Sequence, residues 1–219
     1  MIRILHLETS TKACSVALSF DGEPVAVREE LTEEFTHSEN LAVFVQSVLD
    51  QAKTELKELS AVSVACGPGS YTGLRIGVST AKGFCYALDI PLIAIDSLTS
   101  LTELARKAHP SSTICAMIDA RRKEVFSAIF SLDGELIKPI SADILDQHSY
   151  SDFEPFVYVG DGAGKMISDW QARNCVADLN IQASAIGQVR LAFEKFQKGS
   201  FEDVAYFEPF YLKDFVIQK

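Results

Sequence analysis

The sequence predicts an α/β protein in which one arrangement of strands and helices occurs twice. Short β-rich apolar runs alternate with helical stripes of apolar residues, and the order restarts after the polar stretch 109–112. Apolar residues make up 47% of the 219 residues, which is enough for a substantial core. The second round is degenerate, with only 157–160 and 184–197 clear after its opening strands. We expect two related subdomains, 1–99 and 100–219.

The first half opens with three strands and a long helix. Residues 2–8, 13–20 and 23–30 are β-rich, and Asp21-Gly22 supplies a hairpin turn between the last two. The pattern Thr36-x-x-Glu39 predicts a capping box. The apolar stripe that follows predicts an amphipathic helix of about four turns.

A sharp turn follows the next buried strand. Val62 to Cys66 is apolar and β-rich, and the run Gly67-Pro68-Gly69 combines two unrestricted residues with one of fixed φ. Ser70 or Thr72 can cap the helix predicted over 73–88. The spacing matches neither the Walker phosphate loop nor the dinucleotide fingerprint. We interpret the run as a strand-to-helix connection.

The remaining elements complete the first half and begin the second. A strand at 91–95 and a helix at 97–108 end the first round. Residues 113–118 and 124–131 are strands, and Asp133-Gly134 marks the turn before a third. The order of the first three strands is therefore repeated.

Composition restricts the partners and the compartment. The net charge of −10 opposes a broad nucleic-acid-binding face, because such faces depend on Lys and Arg. No apolar run is long enough to span a bilayer, and the start leads straight into a strand, so we expect a cytoplasmic protein without a membrane partner. The cysteines are odd in number and lack CxxC spacing, which favours buried core thiols. They are Cys14, Cys66, Cys85, Cys115 and Cys175.

Five motifs occur in order along nearly the whole chain. They are residues 4–18 (ILHLETSTKACSVAL), 66–77 (CGPGSYTGLRIG), 119–126 (DARRKEVF), 159–162 (VGDG) and 209–213 (PFYLK). Together they closely resemble the TsaB family, also called YeaZ. The resemblance implies the actin-like ATPase fold, which is also described as ASKHA or RNase H-like. It also implies a subunit of the bacterial machinery that makes N6-threonylcarbamoyladenosine, or t6A, in tRNA.

The resemblance places two phosphate-binding turns between the halves, where backbone N–H groups would meet a nucleotide. The weak or vestigial candidates in the first turn are Thr9, Ser10, Thr11 and Lys12. Glu8 stands where active relatives hold Asp, and Ala120-Arg121 stands where they carry glycines. The run 160–164 is either an adenosine-side glycine motif or a strand-to-helix turn. We expect no cofactor in the isolated chain, and any ATP would lie at the interface of a complex.

The metal site of the related transferase TsaD has no counterpart in the sequence. That paralogue carries a His-x-x-x-His pair, and Ser97 and Leu101 stand at the matching positions here. Neither side chain can replace imidazole as a ligand for iron or zinc. His37 is expected to be a capping or surface residue rather than a catalytic one. The resemblance therefore implies a subunit with no catalytic residues and no metal.

The helix after the Gly-Pro-Gly run is the candidate partner interface. Gly73, Gly77 and Ala81 recur every four residues and form a stripe of small side chains that another helix could approach closely. The resemblance implies pairing here with a TsaD-like transferase, or with a second copy when the chain is alone. The residues expected to flank the contact are Leu74, Arg75, Val78 and Lys82. The stripe could instead pack on the protein's own sheet.

A dense charged cluster occupies a predicted strand-turn-strand junction. It comprises Asp119, Arg121, Arg122, Lys123 and Glu124. One interpretation is a solvated hairpin tip with mutual salt bridges. The other is a docking patch in which the three basic residues meet tRNA or a partner subunit.

The predicted function is a non-catalytic subunit that supports the TsaD-like transferase, with a TsaE-like ATPase completing the complex and tRNA reached through it. The alternative is a free-standing enzyme of the same superfamily, either an ATP-dependent phosphotransferase or a peptidase. An enzyme of this fold should keep Asp at the first turn and glycines at the second. The sequence has neither, and it has no Gly-x-Ser-x-Gly elbow.

Overall fold

Two five-stranded sheets, one in each half of the chain, carry the fold. The structure is a computed structural model that describes residues 1–31 and 37–213. The strands of the first sheet are β1 (Arg3–Glu8), β2 (Ala13–Phe20), β3 (Glu23–Leu31), β4 (Ala61–Gly67) and β5 (Leu92–Asp96). Their order is β3-β2-β1-β4-β5, with β1, β4 and β5 parallel and the other pairs antiparallel.

The second sheet repeats this plan strand for strand. Its strands are β6 (Thr113–Asp119), β7 (Glu124–Phe130), β8 (Leu136–Ile144), β9 (Phe156–Val159) and β10 (Cys175–Asp178). The order is β8-β7-β6-β9-β10, again with two antiparallel and two parallel pairs. The predicted duplication of the α/β unit is confirmed.

Four α-helices complete the architecture of the described residues. They are α1 (His37–Gln51), α2 (Tyr71–Leu88), α3 (Ser97–Ala108) and α4 (Val189–Gln197). In the second half, single 3-10 turns at Ser151–Phe153 and Ala163–Met166 stand where the first half has α1 and α2. The prediction of a degenerate second round is therefore confirmed. Thr36 of the predicted capping box lies outside the described residues.

The last helix of each half packs on the other half's sheet. On α3, Leu98, Leu101 and Ala105 belong to the core of the second sheet. On α4, Ala192 packs with Ile4 and Ile93 of the first sheet. Each of these two helices therefore lies against the sheet of the other half, and the division near residue 100 stays a prediction.

Local sequence explains the sharp ends of α2. Ser70 is the N-cap, because its hydroxyl oxygen accepts a hydrogen bond from the backbone N–H of Gly73. Asp89 ends the helix in the left-handed conformation with φ of 54°. Among the helices that the structure describes, none is long and apolar enough to cross a membrane.

Candidate functional site

The first predicted phosphate turn, between β1 and β2, is held by the chain itself. The backbone N–H of Ser10 donates to the Glu8 carboxylate over 2.7 Å. His37 Nε2 donates to the carbonyl oxygen of Thr11 over 2.8 Å. The Thr9 hydroxyl donates to the carbonyl oxygen of Gly73, also over 2.8 Å. These bonds come from three separate elements and fix the turn without a ligand.

The Glu8 carboxylate accepts the hydrogen bond from the Ser10 N–H, a donor that a bound phosphate would need. Its side chain is buried, and burial raises the pKa of the carboxyl, while hydrogen bonds from Ser10, Gln188 and Thr9 act in the opposite direction. In a phosphate-binding turn, successive backbone N–H groups point at the anion. Here the Ser10 N–H points at a carboxylate of the same turn.

The second predicted turn joins β6 to β7. Arg121 and Arg122 both have left-handed backbones, with φ of 71° and 52°. The Asp119 carboxylate accepts hydrogen bonds from the Arg121 N–H and from Lys165 Nζ, at 2.5 and 2.7 Å. Asp119 therefore links this turn to the 3-10 turn Ala163–Met166, which carries Lys165.

The expectation of mutual salt bridges within the charged cluster is corrected by the structure. Asp119 pairs with Lys165, and Glu124 pairs with Lys213. The two lysines lie outside the cluster. Arg121, Arg122 and Lys123 are exposed, and no ion pair within the described part of the chain involves them. Within residues 1–31 and 37–213, the turn therefore presents three positive charges that have no ion-pair partner.

The two turns line one cleft between the halves, with a volume of about 580 Å³. The other walls are residues 69–71, at the start of α2, and residues 210–213. Of the run 160–164, only Asp161 lines the cleft, and the run itself leads from β9 into a 3-10 turn. Burial raises the pKa of Asp161, whose carboxylate accepts the Asp119 N–H over 2.9 Å.

The Gly-Pro-Gly run packs directly on the first turn. The backbone N–H of Ser70 donates to the carbonyl oxygen of Ser10 over 2.7 Å. A Cβ added at Gly69 would lie 2.3 Å from that same oxygen, so a side chain there is sterically excluded. The run thus fixes both the start of α2 and the position of the first turn.

The small-residue stripe of α2 faces inward, which corrects the expectation that it is open to another helix. A Cβ at Gly73 would lie 2.1 Å from the Thr9 carbonyl oxygen, and one at Gly77 would lie 2.3 Å from Thr9 Oγ1. Ala81 is fully buried. Of the two interpretations of the stripe, packing within the protein is the one observed.

Most of the residues predicted to flank the partner contact are also buried or bonded to other parts of this chain. Leu74 and Val78 are buried in the first half. Lys82 Nζ donates to the carbonyl oxygens of Ala205 and Phe207, each over 3.1 Å. Arg75 is exposed and lies over the Tyr71 ring, 4.3 Å from its centroid.

Besides Arg75, the exposed face of α2 consists of residues that were not predicted to lie at an interface. They are Thr72, Ser79, Gly83, Tyr86 and Ala87. The Tyr86 side chain is 85% exposed, and a Cβ added at Gly83 would meet nothing within 4 Å. Sequence analysis missed this face, although its spacing of three and four residues is the same helical signal that identified the buried stripe.

The positions that match the transferase's histidine pair have structural roles. The Ser97 hydroxyl accepts a hydrogen bond from the Gly67 N–H over 3.1 Å, and Leu101 is buried in the second core. Among residues 1–31 and 37–213, no cluster of His, Cys, Asp and Glu has the geometry to hold a metal ion. His37 is buried rather than at the surface, and its burial lowers its pKa.

The cysteines lack the environment of a nucleophile. Burial raises the pKa of Cys14 and Cys85 to about 11 and that of Cys66 to about 12. A reactive cysteine needs the opposite shift. All five thiols are free, but only Cys14, Cys85 and Cys115 are buried as predicted, and Cys66 and Cys175 are partly exposed.

Comparison with known proteins decides the family. A family model described as "TsaD: tRNA N6-adenosine threonylcarbamoyltransferase" matches residues 32–214. The tRNA threonylcarbamoyladenosine biosynthesis protein TsaB of Escherichia coli K12 is 31% identical over 240 residues, covering 100% of this chain and 97% of that protein. The chain belongs to the TsaB family. TsaB of Haemophilus influenzae is 35% identical over 125 residues, which are 57% of this chain and about half, 52%, of that protein.

Solved structures agree with the TsaB assignment and with the fold. YeaZ from Pseudomonas aeruginosa superposes with a TM-score of 0.81 at 28% identity, covering 97% of this chain and 100% of that one. The activator of the 2-hydroxyisocaproyl-CoA dehydratase from Clostridium difficile, with bound ADPNP, gives 0.54 at 11% identity over 90% of this chain and 97% of that chain. The second likeness concerns the fold alone, which is the predicted actin-like α/β architecture.

Proposed function

We propose that this TsaB-family chain is a non-catalytic subunit of the t6A synthesis complex. It binds and supports a TsaD-like transferase, a TsaE-like ATPase completes the assembly, and tRNA is reached through the complex in the cytoplasm. The product is the modified adenosine at position 37 of the tRNA, made from threonylcarbamoyl-adenylate.

The observation that carries the proposal is the structural use of Ser97 and Leu101. The Ser97 hydroxyl fixes the backbone of Gly67, and the Leu101 side chain fills the second core. The resemblance to TsaD places metal-binding histidines at these two positions, and neither Ser nor Leu is a ligand for iron or zinc. Transfer chemistry is therefore assigned to the partner.

The contact with the partner is assigned to the exposed face of α2. Thr72, Ser79 and Gly83 are small, so a second helix can approach the backbone closely there. Tyr86 supplies an exposed aromatic side chain of the kind that anchors interfaces. The same face would form a homodimer when the transferase is absent.

This surface is tested by Gly83→Trp in size-exclusion chromatography with the transferase. Because nothing lies within 4 Å of a Cβ at Gly83, the variant should fold and lose co-elution. Gly164→Trp is the matched control, since that exposed glycine of the second half has equally open surroundings. Co-elution of the Gly83 variant would exclude this face of α2.

The tip of the β6–β7 turn is assigned to tRNA. Arg121, Arg122 and Lys123 carry charges without ion-pair partners among the described residues, on a chain whose net charge is −10. Removing a basic side chain that neutralises a phosphate should reduce the salt dependence of binding. Replacing both arginines with Ala in the assembled complex should weaken tRNA binding, whereas Lys53→Ala should not. Unchanged affinity would contradict this assignment.

The isolated chain is expected to use no cofactor of its own. Because Glu8 already occupies the Ser10 N–H, the first turn is poorly prepared for a phosphate. Isothermal titration with ATP and magnesium is expected to show no binding coupled to turnover. Micromolar binding with turnover would overturn the non-catalytic assignment in favour of a phosphotransferase.

A further inference from the structure

Five polar side chains meet at the edge of the second sheet, outside the cleft between the halves. They are Ser127 on β7, Lys138, Ser141 and Asp143 on the edge strand β8, and Tyr150 in the segment that follows. Ser127 is fully buried, and the side chains of Lys138 and Asp143 are only 14% and 26% exposed. Charged groups shielded to this degree need polar partners. The cluster is therefore built around a pair of charges.

An irregularity in β8 brings Lys138 into the cluster. Ser141 lies opposite Ser127, and Lys138 lies opposite Ile129, so β8 advances by three residues where β7 advances by two. In a regular strand, residues three apart point to opposite faces of the sheet. The extra residue turns Lys138 to the face that carries Ser141. Pro139 is tolerated between them because it lies at a bulge of an edge strand.

The ammonium group of Lys138 has one oxygen for each of its N–H donors. Nζ donates to Ser141 Oγ over 2.6 Å, to Asp143 Oδ2 over 2.8 Å and to Ser127 Oγ over 3.0 Å. It also lies 5.1 Å from the centroid of the Tyr150 ring, within the range of a cation–π contact. Oxygen atoms and one aromatic face thus surround the positive charge.

Asp143 fixes the orientation of the hydroxyl groups in the cluster. Its carboxylate accepts hydrogen bonds from Tyr150 over 2.6 Å, from Ser127 over 2.7 Å and from Ser141 over 2.9 Å. Because each serine gives its proton to Asp143, the lone pairs of the serine oxygens face Nζ. Burial raises the pKa of Asp143, but hydrogen bonds from Lys138, Tyr150 and the two serines hold that pKa below its usual value. The carboxylate is therefore ionised.

We propose that Ser127, Ser141 and Asp143 form a binding site for a monovalent cation, and that Lys138 fills this site with its own ammonium group. Oxygen ligands of this kind suit hard cations, and the single negative charge of the site matches a single positive one. The Pro139 carbonyl oxygen, 3.4 Å from Nζ, adds a further oxygen. Ammonium and potassium ions are similar in size, so either can take the place of Nζ when the lysine side chain is removed. The site uses none of the residues assigned to tRNA or to the transferase, so it stands independently of the proposed function.

The test is the thermal unfolding of full-length Lys138→Ala in ammonium, potassium and choline chloride at equal concentration. In choline chloride its melting temperature should lie about 5–10 °C below that of the unmodified chain, because Asp143 has lost its counterion. Ammonium and potassium should recover most of that loss, because the free ion enters the emptied site. Choline is the reference cation, since its quaternary nitrogen is bulky and has no N–H donor.

Three variants separate a cation site from a general salt effect. Lys138→Met keeps most of the side-chain bulk without the charge, so it should be destabilised to the same extent in all three salts. Asp143→Asn in the Lys138→Ala background should abolish the difference between the salts. Lys195→Ala is the matched control, because Nζ of that lysine donates to the carbonyl oxygen of Ala94 over 2.8 Å rather than to a carboxylate. Ammonium and potassium should not restore its stability.

A crystal of Lys138→Ala grown in rubidium chloride locates the ion directly. Rubidium is a heavier analogue of potassium with a strong anomalous signal, and its peak should lie beside Asp143 and between the two serines. Equal melting temperatures of Lys138→Ala in the three salts, failure of this variant to fold in all of them, or no rubidium at the site would overturn the proposal.

Discussion

The two halves of the molecule share one strand order but differ in what covers their sheets. The first half keeps two full helices, α1 and α2, between its strands. The second half replaces them with 3-10 turns and fills the space with an aromatic cluster around Trp170. Strand pairing thus persists where helices are absent, because each sheet needs only some apolar cover on its face.

The halves also differ in the polarity of their interiors. The first sheet buries His6, Glu8, Ser15 and Ser63, which hydrogen-bond within the first half or to the segment before α4. The second half buries mainly apolar and aromatic side chains, with Ser127 as a fully buried polar residue on β7. The stability of the first half should therefore depend on pH and on the glycines where two backbone segments lie close together. The stability of the second half should depend on the volume of its buried aromatic side chains.

The largest expected effect comes from the aromatic cluster. Trp170 is fully buried, its rings contact Tyr150, Phe156 and Tyr158, and its Nε1 donates to the Asp146 carbonyl oxygen over 2.9 Å. Trp170→Ala should lower the free energy of unfolding by about 3–5 kcal/mol, because it leaves a large cavity. Chemical denaturation followed by circular dichroism measures this change.

Tyr206→Ala serves as the control, because its side chain is exposed and its removal should change stability by less than about 0.5 kcal/mol. A Trp170→Ala protein as stable as this control would show that the cluster does not replace the missing helices.

The next effect is a pH dependence in the first half. Burial lowers the pKa of His6 to about 3, and its Nε2 contacts the Ser19 hydroxyl over 2.8 Å. The unfolded chain binds the proton first, so stability is lost as the pH falls from about 6.5 towards 3. Between pH 6.5 and pH 5 this contribution is about 2 kcal/mol.

His6→Asn should remove that contribution and flatten the pH dependence of unfolding measured by denaturant titration. His148→Asn, at an exposed site of the second half, is the control. Identical slopes for His6→Asn and the unmodified chain would place the acid sensitivity elsewhere, for example at His37, whose pKa is also lowered by burial.

The smallest effect separates the two faces of α2. Gly77→Ala should cost about 1–3 kcal/mol, because the new methyl group would lie 2.3 Å from Thr9 Oγ1. Gly83→Ala should stabilise the protein by about 0.5–1 kcal/mol, because its surroundings are open and Ala is the better helix former. Opposite shifts in melting temperature would support the inward and outward assignments, and shifts of equal sign would refute them.

Local sequence signals predicted most of the elements. Turns such as Asp21-Gly22 and the caps of α2 depend on residues that are only a few positions apart in the sequence, so they can be recognised from it. Helix α3 covers the predicted residues 97–108. The positions of the two predicted phosphate turns could be located in the sequence, because each directly follows a recognisable strand, β1 or β6. The role of Glu8 required the structure, since its contact with Ser10 depends on the rotamer of a buried side chain.

Long-range packing explains what the sequence missed. A stripe of small residues is compatible with any close neighbour, and only the fold shows that Gly73 and Gly77 meet Thr9. The motif at 209–213 contributed to the family resemblance, yet its contacts with Gly67 and Glu124 link residues far apart in the chain. The spacing of residues along a helix shows which of them share one face, but it does not show which part of the protein packs against that face.

The most direct test of the central claim is t6A formation in a purified mixture of the TsaD-like transferase, the TsaE-like ATPase, threonylcarbamoyl-adenylate, ATP and tRNA, with and without this chain. A non-catalytic supporting subunit should give product only when the transferase and this chain are both present, and none from this chain alone. Product from this chain alone, or undiminished product without it, would contradict the assignment of a non-catalytic supporting subunit.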